Sequence, residues 1–133
     1  MRVVLDTNVF ISSFLGTASP RKVIDLWKEG KITLCLSKEI VDEYVEVLER
    51  LGLSREKEVE EILQLFAHNF HSLFTAKTPN LVIVESDPDD NKFFECAVAL
   101  KAQTIISGDK AVLKVKNYTG IKVLSPKQFL EKL

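Results

Sequence analysis

Apolar and polar positions alternate along the chain in two rhythms. Short, mostly apolar runs, Arg2 to Leu5, Ile32 to Leu36, Leu81 to Val84, Thr104 to Ile106 and Ile121 to Leu124, have the length of strands, and the first suits a strand buried on both faces. Between them lie stretches with helical periodicity. A segment after Asp6 runs through Phe14. A second helix follows Ser19-Pro20, an N-cap with proline at the first helical position, and is closed by Gly30.

Ser37 then caps a long helix in which Ile40, Val41, Tyr44, Val45, Leu48 and Leu51 recur at helical spacing, and Ser54 caps another that runs to about Leu73. These two are expected to form a hairpin. A further helix spans Asp90 to Lys101, and Ser125-Pro126-Lys127-Gln128 gives a capping box that starts a short terminal helix. Strands that alternate with helices imply an α/β fold, a parallel sheet with helices on both faces.

The length of 133 residues suits one domain over 1–133, and 46% hydrophobic with 28% charged residues is ordinary globular composition. No apolar run reaches the roughly 18 residues that span a bilayer and the N-terminus has no signal-like core, so no membrane association and a cytoplasmic location are expected. Cys35 and Cys96 fall on apolar stretches and read as buried small hydrophobes rather than a disulfide. Net charge is −1, so the whole molecule carries no polyanion-binding signature. Lys92, Lys110, Lys114 and Lys116 gather near acidic residues, where they are either a solvated face or phosphate contacts.

The candidate chemistry lies just beyond the strands, because ligands of open α/β sheets bind outside the carboxyl ends. Two strands lead into an aspartate, Val3-Val4-Leu5-Asp6 and Thr104-Ile105-Ile106-Ser107-Gly108-Asp109, which puts Asp6 and Asp109 on one rim. Helix capping is the alternative role for either. Of the five acids on the helix after Ser37, Glu43 borders the apolar face, roughly 40° from Val47 and 60° from Ile40 at about 100° per residue, while Asp42, Glu46 and Glu49 point away. Asp87 and Asp89 fit a helix-dipole role. Asp90 falls in register with Phe93, Phe94 and Ala97 and so faces the sheet, where an unpaired charge is costly.

No basic residue has an obvious claim to that partnership, and four acids at one rim repel one another. A divalent cation answers both difficulties. An all-carboxylate set suits Mg²⁺ or Mn²⁺ rather than zinc, and His68 and His71 lie on the distant hairpin as surface or packing residues.

Four stretches, Leu5-Asp6-Thr7-Asn8-Val9, Leu36-Ser37 through Leu48, Asp87-Pro88-Asp89-Asp90-Asn91-Lys92 and Ile106-Ser107-Gly108-Asp109-Lys110, occur in an order and spacing that resembles the PIN domain. The likeness is strongest to the small prokaryotic, VapC-like branch of toxin ribonucleases. It implies a three-layer sandwich with a central parallel sheet of four to five strands and a protruding helical hairpin. It places Asp6, Glu43, Asp90 and Asp109 at catalytic, metal-binding positions, with Asn8 and Ser107 as polar supports.

The implied activity is Mg²⁺- or Mn²⁺-dependent cleavage of single-stranded RNA, in a toxin paired with a small antitoxin protein and assembled as a homodimer. Many relatives carry a further acid where this chain has Ala111, which points to a weaker second metal site or reduced activity. Leu63, Leu65, Phe66, Phe70 and Phe74 offer apolar surface either for such partners or for plain core packing. Two other classes stay open: a catalytically weak PIN-like module that binds RNA or protein, and an aspartyl-phosphate enzyme using Asp6, against which stands Asn8 where dehalogenase-type phosphatases place a second Asp.

Overall fold

A computed structural model describes all residues, 1–133. It contains strands β1 (Arg2–Leu5), β2 (Thr33–Ser37), β3 (Ser72–Thr75), β4 (Thr104–Ile106), β5 (Asn117–Tyr118) and β6 (Ile121–Leu124). The helices are α1 (Thr7–Ser12), α2 (Ala18–Lys28), α3 (Lys38–Arg50), α4 (Lys57–Ala67), α5 (Asn91–Leu100), α6 (Lys110–Leu113) and α7 (Pro126–Glu131).

The six strands form one sheet in the order β3-β2-β1-β4-β6-β5, parallel throughout except for β5, which pairs antiparallel with β6 at the edge. Successive residues Val3, Val4 and Leu5 are all buried, as are Thr104, Ile105 and Ile106, so both faces of the sheet are covered. Helix α5 packs across β1 to β4, and α2 packs against α1 and α7. The result is an α/β sandwich. The chain leaves β1 towards β2 and β3 on one side and later fills β4 and β6 on the other, so the crevice between the ends of β1 and β4 is where a doubly wound sheet opens to a ligand.

The sheet has six strands where four to five were expected, and the third strand is not the one the sequence suggested. The helix expected to run to about Leu73 ends at Ala67, and Ser72–Thr75 pairs in parallel with β2, Cys35 opposite Leu73. Trp27 fixes this turn: its buried indole N–H donates to the carbonyls of Phe70 and His71 at 3.1 and 3.2 Å. His68 and His71 therefore lie beyond the helix, and the His71 ring packs on Phe70 at 4.3 Å between centroids.

Leu81–Val84, expected as a strand, runs extended outside the sheet and satisfies its backbone with side chains. Asn91 Oδ1 accepts from the N–H groups of Ile83 (3.0 Å) and Val84 (2.8 Å), and Glu95 Oε2 from that of Leu81 (2.9 Å). The short edge strand β5 joins β6 through Thr119 and Gly120, both at positive φ (48° and 92°), the two-residue turn that suits hairpin twist.

Two caps also move, α2 starting after Thr17 rather than Ser19 and α4 after Glu56 rather than Ser54, in each case without a side-chain cap bond. The Ser125 capping box forms as expected. Both cysteines are free and buried.

Helix α3 is anchored by aromatic packing. Tyr44 stacks on Phe10 at 4.1 Å and 11° between planes, with Phe66 of α4 beside both, and its buried hydroxyl donates to the Leu5 carbonyl. Val59 and Ile62 of α4 enter the core, whereas Phe74 on β3 remains 53% exposed. The Tyr44 bond matters for the site because it ties the helix carrying Glu43 to the residue preceding Asp6.

Candidate active site

Asp6 ends β1 with only 3% exposure, and both its oxygens are engaged. Oδ1 accepts from Val9 N–H at 2.9 Å, which caps α1; Oδ2 accepts from the Ser107 hydroxyl and from Gly108 N–H at 3.3 Å. Capping and facing the rim thus coincide in one residue. Burial pushes its carboxyl above the ordinary range, opposed by the bonds from Ser107, Val9 and Gly108.

The fully buried Ser107 joins two strands' chemistry, since its Oγ also accepts the Asp109 N–H at 3.0 Å. Asp109 caps α6, its Oδ1 accepting from Ala111 N–H at 2.9 Å.

Glu43 reaches the same crevice from α3. Its Oε2 accepts from the Thr7 hydroxyl and its Oε1 from Lys92 Nζ at 2.8 Å, and Lys92 also lies 3.2 Å from Asp89. The expectation that no basic residue serves these acids is therefore corrected for Glu43. Lys92 stands two residues after Asp90 at the start of α5, a spacing that separates the two side chains by about 200° and so lets one segment present an acid and a base to different neighbours.

Asp90 has no such partner. It is the half-buried residue before α5 but makes no side-chain cap bond, and its Oδ2 is buried with no hydrogen-bond donor. Burial, then the carboxylates of Asp87, Asp109 and Asp6, push its pKa up to about 7. Single oxygens of Asp87, Asp90 and Asp109 all lie within 4.8 Å of one another. Asp87, expected in a dipole role, precedes the short 3-10 turn Pro88–Asp90 and also joins this triad, three residues after the Val84 N–H that Asn91 accepts. Asn91 itself, buried within the Asp-Asp-Asn-Lys stretch, gave no sequence signal beyond its place there.

An open pocket of about 220 Å³ collects these groups. It is lined by Asp6, Thr7, Asn8, Glu43, Asp87, Asp89, Asp90 and Asp109, with Arg50, Val47 and Phe93 at its walls. All four acids singled out in the sequence and Asn8 line it, while Ser107 lies behind Asp6. The acids divide into two kinds: Asp6 and Glu43, both of whose oxygens are held by protein donors, and Asp87, Asp90 and Asp109, which converge, Asp109 keeping one oxygen on the α6 cap.

A hard divalent cation fits this donor set. Every candidate ligand is a carboxylate oxygen, as Mg²⁺ or Mn²⁺ prefers, and Asp90 Oδ2 is a buried acceptor that nothing in the protein satisfies. Without a compensating charge the convergence of three carboxylates is unfavourable.

Comparison with known proteins gives the family. The chain is similar to an uncharacterized protein of Methanocaldococcus jannaschii, 34% identical over an alignment of 145 positions, gaps included, that covers 98% of this chain and 90% of the relative. The sequence profile described as PIN domain matches residues 2–111, which take in every acid of the pocket. PIN domains are in general metal-dependent nucleases, and this chain belongs to the PIN domain family.

Proposed function

We propose that the protein is an endoribonuclease that cleaves single-stranded RNA with Mg²⁺ or Mn²⁺. The observation that carries this reading is the buried, donorless Oδ2 of Asp90 beside Asp87 and Asp109. Asp87, Asp90 and Asp109 would hold the cation, with Asp6 and Glu43 at the pocket's inner wall. When bound, it would supply positive charge to a phosphodiester and make a water molecule a competent nucleophile near neutral pH.

The protein's own groups set the stage for that step. Ser107, Val9 and Gly108 fix the Asp6 carboxylate so that it does not reorganise, and Thr7 and Lys92 do the same for Glu43. Arg50 at the wall is a cation within reach of a phosphate entering the pocket. The open rim suits a strand whose backbone can be splayed, hence a single-stranded substrate.

The resemblance extends the proposal to a toxin that pairs with a small antitoxin and dimerises. Exposed Phe74 on the unpaired edge of β3, beside Leu63 and Phe66, is the surface that favours it. A catalytically weak binding module is the second reading, favoured by Ala111 where many relatives carry an acid.

Incubation of single-stranded RNA with the protein in Mg²⁺, Mn²⁺ or EDTA separates the two. Cleavage confined to the metal lanes, and lost in Asp109→Asn, supports the nuclease. Binding without cleavage under all conditions supports the module.

A further inference from the structure

Charge is segregated along this chain although its net value is only −1. Residues 101–133 hold seven lysines against two acids, Asp109 and Glu131, a net +5, and the preceding residues therefore carry −6. The fold keeps this segregation in space, because residues 104–133 build α6, β5, β6 and α7 as one end of the sheet. Lys31, Lys38, Lys92 and Arg21 of the acidic part are paired with carboxylates, whereas none of the seven lysines after Leu100 is.

Three of those lysines, Lys116, Lys122 and Lys132, stand exposed around a groove of about 470 Å³ with Asn117, Ser125 and Gln128. Lys116 is held there by left-handed backbone at φ 65°, uncommon for a residue with a side chain, and by its carbonyl accepting Val123 N–H at 2.9 Å. Helix α6 runs between the acidic pocket and the groove. Asp109 caps the start of that helix and Leu113, its last residue, lines the groove, a rise of about 6 Å, close to the spacing of successive phosphates on one strand.

We propose that this cationic groove carries the phosphodiester backbone of an RNA strand, on the far side of α6 from the acidic pocket. The inference rests on the ribonuclease reading for the placement of the scissile bond. Its physical basis is separate: unpaired, exposed lysines around one groove release the counterions condensed on a polyanion, which attracts the strand to a protein whose catalytic rim is itself acidic.

Binding of a labelled single-stranded RNA, followed by fluorescence anisotropy in EDTA across a series of KCl concentrations, tests it. The triple variant Lys116→Gln, Lys122→Gln, Lys132→Gln is compared with the parent and with Lys22→Gln, Lys57→Gln, Lys77→Gln from the acidic part. The slope of log K against log salt should shrink by about 2 in the first variant, three contacts at about 0.7 each, and stay unchanged in the second. Equal slopes in all three proteins, equal loss in both variants, or capture of anionic phospholipid vesicles but not RNA would overturn the proposal. If the lysines carry binding but the parent never cleaves RNA in Mn²⁺, the ribonuclease reading falls and the groove stands. If the parent cleaves and the slope is unmoved, the reverse holds.

Discussion

Lys92 donates to Glu43 at 2.8 Å with side chains only 13% and 21% exposed, which gives this acid of the pocket a partly buried counter-ion. Lys92→Met leaves Glu43 with the Thr7 hydroxyl alone. A pair so far removed from water is worth more than a surface pair but less than one in a dry core, and the metal-free variant is expected to lose about 1–2 kcal/mol. Removing a positive charge also favours a cation nearby, so Mn²⁺ should stabilise the variant more than the parent. Urea melts with and without Mn²⁺ check both signs, and a variant as stable as the parent in EDTA would show the pair to be incidental.

Asp90 gives the metal-free protein a pH dependence. Its folded pKa of about 7 lies above the ordinary 3.8, so between these values the folded state binds more protons than the unfolded chain and stability falls as pH rises. The cost is absent below the lower value and complete above the upper one. Water screens this half-exposed carboxylate, which reduces the cost to about 1 kcal/mol. In EDTA at pH 8, Asp90→Asn should therefore be about 1 kcal/mol more stable than the parent, with the difference gone near pH 4. A helix-capping role gives the opposite sign, a small loss at pH 8.

The legible parts of this protein are those where local pattern and tertiary role coincide. β1 and β4 are short apolar runs with both faces buried, and the acids Asp6 and Asp109 follow them closely, so a topological rule places both on one rim. Glu43 and Asp90 were found from helical phase. Other features depended on partners far along the chain. Ser72–Thr75 continues a helix-like apolar pattern and becomes a strand because Trp27 pins the turn before it. Leu81–Val84 has strand composition, yet its N–H groups go to Asn91 and Glu95 instead of a neighbouring strand. Asp87 joins the triad just after this tethered segment and its turn, a placement no local periodicity encodes.

Asn91 accordingly makes a test of how the triad is held. Asn91→Ala leaves the buried N–H of Val84 and that of Ile83 without an acceptor, for an expected loss of about 2–3 kcal/mol. Because the freed segment leads into Asp87, the Mn²⁺ response should weaken as well. Hydrogen exchange at Ile83 and Val84 would report the release directly, and unchanged protection there would contradict the tether.

Asp87 and Asp42 provide a contrast between two acids that the sequence leaves outside the site, one for a helix-dipole role and one for facing away from the core. Asp87→Asn should lower Mn²⁺-dependent RNA cleavage by on the order of a hundredfold if it serves the triad. Asp42 is exposed and paired only with Lys38 at 2.7 Å, so Asp42→Asn should leave cleavage intact and cost no more than about 0.5 kcal/mol. Gel assays on the two variants under one condition decide the matter, and similar activities would count against the triad.

The central claim is that Asp87, Asp90 and Asp109 form a divalent-metal site, and its most direct test is the thermal midpoint of the parent and of Asp90→Asn titrated with Mn²⁺. A cation bound only by the folded state stabilises it by RT ln(1 + [L]/Kd), about 2.7 kcal/mol at a hundredfold excess over Kd. The account expects the parent's midpoint to climb steadily with Mn²⁺ and that of Asp90→Asn to start higher in EDTA and climb much less. A parent midpoint that millimolar Mn²⁺ leaves unmoved, or a full shift retained in Asp90→Asn, would contradict it.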